Sequence, residues 1–422
     1  MMSDTHFEAT YLVETPLPLD KVAEIMAGEQ SCGTFTRVEG ETDELRSRAR
    51  ATVIAIHDRG EVEQPSMRSA WLDRKGISVR SHRGEVIVRF PLANVGVNLS
   101  TLAATVAGNL FDLGEVTGLR LEAHRLPGSY RKRYALPRQG VTQTRRVTGV
   151  ARGALIGSII KPNVGLSAAE IAALVERLCA AGLDFIKDDE IAANPDHAPL
   201  SARIPAVMAA VRRHQDQTGK HVMVAFNITD ETDAMRRHAD LVAKEGGSCV
   251  MASLNWCGYS AVETLRRSTD LAIHGHRNGY GALSRHPALG IGFQAYQTLW
   301  RLAGVDHMHV HGLGGKFAQD DAEVVASAKD CLTPLCDEDD RVMPAFSSGQ
   351  WAGTVEQTYN AVGTTDLLFM AGGGIMAHPG GPAEGVASIR EAWRAVEAGE
   401  DLAVARTRHR ALADAHAFFG KA

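Results

Sequence analysis

The six cysteines (Cys32, Cys179, Cys249, Cys257, Cys331 and Cys336) form no Cys-x-x-Cys pair. Neither a zinc clip nor a disulfide framework is signalled, and the thiols are expected to be reduced and structural. No apolar run approaches the ~20 residues needed to span a bilayer. The polar start Met-Met-Ser-Asp-Thr-His lacks the basic and apolar regions of a signal peptide. No acidic or basic tail points to nucleic acid, and the net charge is only −5. These absences exclude a membrane span and a nucleic-acid partner from the reading, and the expected location is the cytoplasm. What remains, 422 residues of which 45% are hydrophobic, suits two domains or one enlarged domain.

The most informative stretch is Gly182-Leu-Asp-Phe-Ile-Lys-Asp-Asp-Glu190, where a lysine sits among three carboxylates at the end of an apolar run. In an extended strand alternate side chains share a face, so Lys187 and Asp189 point the same way, and Glu190 joins them if the strand ends there. A charged lysine repels a divalent cation. A neutral Lys187 that has taken up carbon dioxide becomes a carbamate, whose oxygens suit a hard ion such as Mg2+. Taken alone, the same four residues read first as a surface or buried ion-pair cluster.

Their surroundings favour the metal reading. From about residue 140, apolar β-rich runs alternate with helix-like stretches. The runs are Ala154 to Pro162, Asp184 to Glu190, His221 to Thr229, Ser248 to Trp256, Asp270 to Arg277, His307 to Gly312, Val342 to Gly349 and Asp366 to Gly374. Between the first two, Ile171, Leu174, Val175 and Leu178 recur at helical spacing. Eight such units predict a closed (β/α)8 TIM barrel over 136–422, whose catalytic groups sit where strands end. Lys161 and Asn163, the Lys187 cluster, His276 and Arg277, His309, Ser347 and Gly349, and Gly372 with Gly373 all fall at such ends.

Residues 1–135 read as a smaller α+β domain in the order strand, helix, strand, strand, helix, strand. Its helices are expected near Leu19 to Gln30 and Leu99 to Leu110, with strands at Phe7 to Val13, Arg50 to His57, Glu85 to Phe90 and Leu119 to His124. Tyr130 to Tyr134 and Gln139 to Thr148 read as the connection.

At the rim, Gly349, Gly372 and Gly373 are candidates to present backbone N–H groups to a phosphate, or simply to make tight turns. Arg277, His309 and Ser347 form a second donor-rich group for an anion. Lys161 and Lys316 are the remaining candidates for acid–base work. The i, i+2 histidines His274, His276, His307, His309 and His311 also admit a binuclear metallohydrolase, although its first strand lacks the His-x-His that such a site wants.

The chain resembles the large subunit of RuBisCO over nearly its whole length, in the manner of a RuBisCO-like (form IV) protein. The matching motifs are Ile-Lys161-Pro, the Gly182 to Glu190 stretch, His274-x-His276-Arg277, Asp306-His307-Met-His309 followed by Gly-Lys316, Ser347-x-Gly349, and Gly-Gly-Gly374-x-x-x-His378-Pro. In the small domain, Gly-Glu29-Gln-Ser-Cys-Gly-Thr34-Phe and Gly108-Asn109-x-Phe111 resemble segments that the family lends to a partner subunit's active site.

The resemblance implies a ferredoxin-like domain preceding the barrel and a homodimer, or an assembly of dimers, with shared sites. It implies a carbamylated Lys187 holding Mg2+ with Asp189 and Glu190. Lys161 would be the acid–base group at the substrate carbon, His276 a partner in proton handling, and Lys316 the tip of a mobile loop. Glu29 and Asn109 would complete the catalytic set from the partner. Thr34, Gly349, Gly372 and Gly373 would hold one phosphate, and Arg277, His309 and Ser347 the far anion, with Asn163 also facing substrate.

The departures bear on the reaction. The family's carboxylases read Lys-Pro-Lys where this chain has Lys161-Pro-Asn163, so one cation that helps capture carbon dioxide is missing. Phe35 replaces a tryptophan, Ser348 a glycine, and His311-Gly-Leu-Gly alters the segment leading to Lys316. The expected activity is Mg2+-dependent, through an enediolate, on a phosphorylated keto sugar acid: decarboxylation of the 3-oxo-isoapionate 4-phosphate type. The alternatives are a transcarboxylase or hydrolase of the same substrate class, an enolase or isomerase of methylthio-sugar phosphates, and a non-catalytic metabolite sensor.

Overall fold

The computed structural model describes residues 4–33, 37–77, 80–335 and 340–420. Thr34, Phe35 and Cys336 lie outside the described residues. The chain divides into two compact units, Met1–Ala135 with Gly279–Leu302, and Leu136–Asn278 with Ala303–Ala422.

The first unit is built on β1 (His6–Thr15), β2 (Thr52–Val62), β3 (Ser81–Pro91) and β4 (Gly118–Arg125). β1 lies between β3 and β4, antiparallel to both, and β2 flanks β3, which is the ferredoxin-like order. Alternation along β1 turns Phe7, Ala9, Tyr11 and Val13 to a fully buried face. The helix Leu99–Ala107 is fastened to that face by Tyr11, whose hydroxyl donates to the Val106 carbonyl at 2.8 Å. On the other face, Glu8 pairs with Arg89 and Arg125, and Glu14 with Arg83.

Several elements of this unit have no counterpart in the sequence reading, among them two helices and a strand. The helices Asp43–Ala49 and Ala70–Lys75 are announced only by their caps, Thr42 and Ser69, which accept from Leu45 N and Leu72 N. The former buries no residue, so it carries no apolar period. The strand is the short β10 (Leu289–Ile291), which lies in the Gly279–Leu302 excursion and pairs parallel with β4.

The second unit is a closed barrel of eight parallel strands. They are β5 (Leu155–Ile159), β6 (Phe185–Lys187), β7 (Met223–Asn227), β8 (Cys249–Ser253), β9 (Ala272–His276), β11 (His307–His309), β12 (Met343–Phe346) and β13 (Leu368–Met370). Each lies inside one of the apolar runs of the sequence. Every residue of these strands is buried, which is why they read as continuous apolar runs. Leu155, Phe185, Met223, Met251, Met343 and Leu368 meet in the barrel core.

The stretch Gln139 to Thr148, expected as connection, is a helix from Gly140 to Thr148, with Val141 in the same core. Its polarity misled because its inward threonines satisfy themselves. Thr144 Oγ1 donates to Gly140 O and Thr148 Oγ1 to Thr144 O, so both hydroxyls are buried at little cost. Likewise, part of the basic stretch 130–134 is the helix Gly128–Arg133, with Tyr130 and Tyr134 stacked 6.0 Å apart.

At the end opposite the rim, aspartates that immediately precede strands fasten neighbours together. Asp184 accepts from Ile156 N on β5 at 2.9 Å and pairs with Lys220 and Arg390. Asp306 accepts from Ile273 N on β9 (2.8 Å), from Gln139 N and Gly140 N, and from Arg266 at 2.9 Å. Arg266 is 1% and Asp306 0% exposed. Removing one partner of such a pair leaves a buried charge uncompensated. Asp306→Ala is therefore expected to lower unfolding stability by about 3–5 kcal/mol in denaturant titration; a loss below about 1 kcal/mol contradicts this account of the barrel floor.

Candidate active site

β6 ends at Lys187, and its last ladder bond runs from Asp188 N to Ala225 O (3.1 Å). Lys187 points into the barrel mouth and is 1% exposed. Its Nζ donates to Asp188 O at 2.9 Å, and lies 3.7 Å from Met251 Sδ and 3.9 Å from Glu190 Oε2. Burial drives the Lys187 pKa down. Glu190, Asp189 and Asp188 pull it back up, but burial is the largest influence. The outcome is an amine that gives up its proton more readily than an ordinary lysine.

Lys161 meets the opposite surroundings. Its Nζ lies 2.8 Å from Asp189 Oδ2 and 2.9 Å from Asn163 Oδ1, with about a third of the side chain exposed. The amide of Asn163 thus accepts from Lys161, where the carboxylase pattern would set a second cation.

Glu190 Oε2 lies 3.5 Å from His276 Nε2. Asn278 N donates to His276 Nδ1 at 3.2 Å, so the neutral ring carries its proton on Nε2, facing the carboxylate. Burial pushes the His276 pKa well down. The His309 ring sits 4.5 Å from that of His276.

Arg277 follows β9 and donates to Val310 O at 3.0 Å and to Gln319 Oε1 at 2.6 Å, which binds it to the segment that carries His309. Ser347 is buried directly after β12. Arg277 and His309 are thereby brought together, with Ser347 on the adjoining strand.

The glycines abut two different lysines. A Cβ on Gly372 would lie 3.7 Å from Lys161 Cε, and one on Gly349 would lie 3.5 Å from Gly315 Cα and 3.9 Å from Lys316 N. Gly373 has open space around it. Lys316 is exposed, and the segment leading to it is fastened by Gln350, whose Nε2 donates to Leu313 O (3.1 Å) and Ser348 O (2.9 Å). A Cβ on Gly312 would lie 2.0 Å from Gln350 Nε2 and would push that side chain out of place. His311, at φ 69°, stacks on Phe317 at 4.7 Å.

His274 and His307 are fully buried and pack on Phe185 in the barrel interior; His307 meets Thr144 Oγ1 at 2.8 Å. Among the described residues no three His, Cys, Asp or Glu side chains are grouped to hold a metal ion, so the histidine-ligated binuclear alternative has no ligand set. Asp189 and Glu190 provide two carboxylates beside the Lys187 amine.

In the first unit, Glu29 ends the helix Leu19–Glu29 and Asn109 opens the turn Asn109–Asp112. A Cβ on Gly108 would lie 3.6 Å from Gln30 Nε2, so the segments that carry Glu29 and Asn109 are neighbours. Asn109 is exposed.

Sequence reading missed Asn227, Arg203, Gln350 and Gln319. Asn227 is the last residue of β7 and was open to the same strand-end rule that found Lys187. Among the described residues, no helix is long and apolar enough to cross a membrane.

Comparison with known proteins agrees with this architecture. Residues 2–130 match the ribulose bisphosphate carboxylase large chain, N-terminal domain, and residues 140–419 match its catalytic domain. The 3-oxo-isoapionate-4-phosphate transcarboxylase/hydrolase of Xanthobacter autotrophicus is 45% identical, over 97% of this chain and 98% of its own. The 3-oxo-isoapionate-4-phosphate decarboxylase of Rhizobium etli is 40% identical over the same shares. The crystal structure of a rubisco-like protein from Burkholderia fungorum superposes with a TM-score of 0.93 at 61% identity, covering 99% of this chain and 100% of that one. The two domain matches and these full-length similarities establish that the chain belongs to the RuBisCO large-chain family.

Proposed function

We propose that the protein is a Mg2+-dependent carboxy-lyase acting on a phosphorylated β-keto sugar acid of the 3-oxo-isoapionate 4-phosphate type. The observation that carries the reading is the buried Lys187 amine beside Asp189 and Glu190. A neutral amine attacks carbon dioxide, loses a proton and becomes a carbamate. With the two carboxylates it forms an all-oxygen ligand set suited to a hard divalent ion. Such an ion, when bound, supplies Lewis-acid stabilisation of the charge that develops on the substrate's ketone oxygen.

The chain's own residues do the rest. Gly349, Gly372 and Gly373 offer backbone N–H groups to the phosphate, and Arg277, His309 and Ser347 receive the far anion. As the carbon–carbon bond breaks, its electron pair moves toward the ketone, carbon dioxide leaves, and an enediolate remains. Lys161, oriented by Asn163 and Asp189, gives its Nζ proton to the carbon that lost the carboxylate. Solvent at its half-open side chain restores that proton. The amide at Asn163 in place of a cation favours a reaction in which carbon dioxide leaves over one in which it is captured. The names of the Rhizobium and Xanthobacter relatives support the substrate class.

With Mg2+ and bicarbonate preincubation, the enzyme should show negligible ribulose bisphosphate carboxylation. It should release one carbon dioxide per 3-oxo-isoapionate 4-phosphate and, in deuterated water, place one deuterium on the carbon that lost its carboxylate. The Xanthobacter relative's name favours a second reading, hydrolytic cleavage at the same site. Two fragments that include a released carboxylic acid would establish it, and a product keeping every carbon would point to an enolase or isomerase.

Glu29 and Asn109 are catalytic in this reading, and the family resemblance assigns them to a partner's site, so the working unit is at least a homodimer. Mixing inactive Asn109→Ala chains with inactive Lys187→Ala chains should recover about a quarter of wild-type activity per site through hybrids. Confirmed subunit exchange with no recovery contradicts the shared site.

A further inference from the structure

Asn227 ends β7, next to β6, and is fully buried. Its Nδ2 donates to two consecutive carbonyls, Asp189 O at 3.0 Å and Glu190 O at 3.2 Å. Its Oδ1 accepts from Thr229 N (3.2 Å) and Thr229 Oγ1 (2.6 Å), so the amide cannot turn over without losing both sets of bonds. These contacts fall where regular structure has run out, because β6 stops at Lys187. Among the described residues no ladder bond follows Asp188 N, and the backbone that carries the two carboxylates keeps only one backbone bond, the turn bond from Ala192 N to Asp189 O (3.1 Å).

Behind the same residues lies a second support. Asp188 accepts from Asn227 N at 2.9 Å and from Arg203 Nη2 at 3.1 Å. Arg203, 1% exposed, also donates to the carbonyls of Ala192 (3.1 Å), Ala193 (2.5 Å) and Ala198 (2.8 Å). Burial pushes the Asp188 carboxyl up, while Arg203 and the Asn227 N–H oppose it. In the loop after Glu190 this guanidinium gathers three carbonyls, alongside the bonds from Ala192 N to Asp189 O (3.1 Å) and from Leu200 N to Asn194 Oδ1 (2.8 Å), while the Asn227 amide holds the carbonyls of Asp189 and Glu190 themselves.

We propose that Asn227 is a positioning residue for the Asp189 and Glu190 carboxylates, setting the divalent-cation affinity without touching cation or substrate. The inference rests on the reading of those carboxylates as metal ligands. Ligand oxygens left on an unfastened loop must be ordered at each binding event, and that ordering weakens binding.

The test is a Mn2+ titration by electron paramagnetic resonance on the full chain in bicarbonate, with substrate KM measured separately at saturating Mg2+. Asn227→Ala should weaken Mn2+ binding about 10- to 100-fold, while KM stays within about threefold. Thr229→Val, which removes the hydroxyl that holds the amide, should weaken Mn2+ binding in the same direction by less, and Thr229→Ser should restore it. A folded Asn227→Ala protein with wild-type Mn2+ affinity, or with KM raised as much as the Mn2+ dissociation constant, overturns the inference. If Asn227→Ala does not fold, wild-type affinity in Thr229→Val overturns it instead. A wild-type protein that binds no Mn2+ overturns the metal reading and this inference together, whereas wild-type binding unchanged in the variants overturns this inference alone.

Discussion

A lysine amine removed from water beside carboxylates that do not fully reach it is the constraint on which the rest of the site depends. Lys187 is 1% exposed, and its nearest carboxylate oxygen is 3.9 Å away. That is beyond hydrogen-bond length, so attraction does not repay the lost hydration of an ammonium ion. Lys161, on the neighbouring strand, has a carboxylate at 2.8 Å, an amide at 2.9 Å and access to solvent. Two lysines of identical chemistry thus meet opposite surroundings, and in the proposed function those surroundings give them different work.

The barrel separates what holds it together from what it does. Asp184 and Asp306 tie neighbouring strands at the floor through buried ion pairs and backbone N–H groups. At the other end, Lys187, His276 and His309 are each the last residue of a strand. A strand's final residue is fixed by the ladder up to that point and free of it afterwards. The side chain is accurately placed while the next residues remain open to other uses. The Asn227 amide and the Arg203 guanidinium take over where the ladder ends.

Much of this was legible in the sequence because buried parallel strands leave continuous apolar runs, and polar residues that interrupt them mark the rim. The runs overshot, however. Asp184 to Glu190 contains a strand of only Phe185–Lys187, since its flanking carboxylates belong to the floor and to the site. The helix Gly140–Thr148 escaped because its buried threonines bond to their own backbone, and β10 because three half-buried residues carry no period. The histidines show a different limit. Spacing puts His274 and His276 on one face, but only depth along the strand decides that one is core and the other faces Glu190. Asn227 went unread because an uncharged amide announces no chemistry; its role comes from the two carbonyls it meets, which belong to a different strand-end.

The proposed function rests on carbamylation of Lys187. It is tested most directly by carbon-13 nuclear magnetic resonance of the protein equilibrated with carbon-13 bicarbonate and Mg2+. One carbamate resonance per chain is predicted, present in the wild type, retained in Lys161→Ala and lost in Lys187→Ala. A fully active wild-type protein without that resonance, or a resonance that survives Lys187→Ala, would contradict the account.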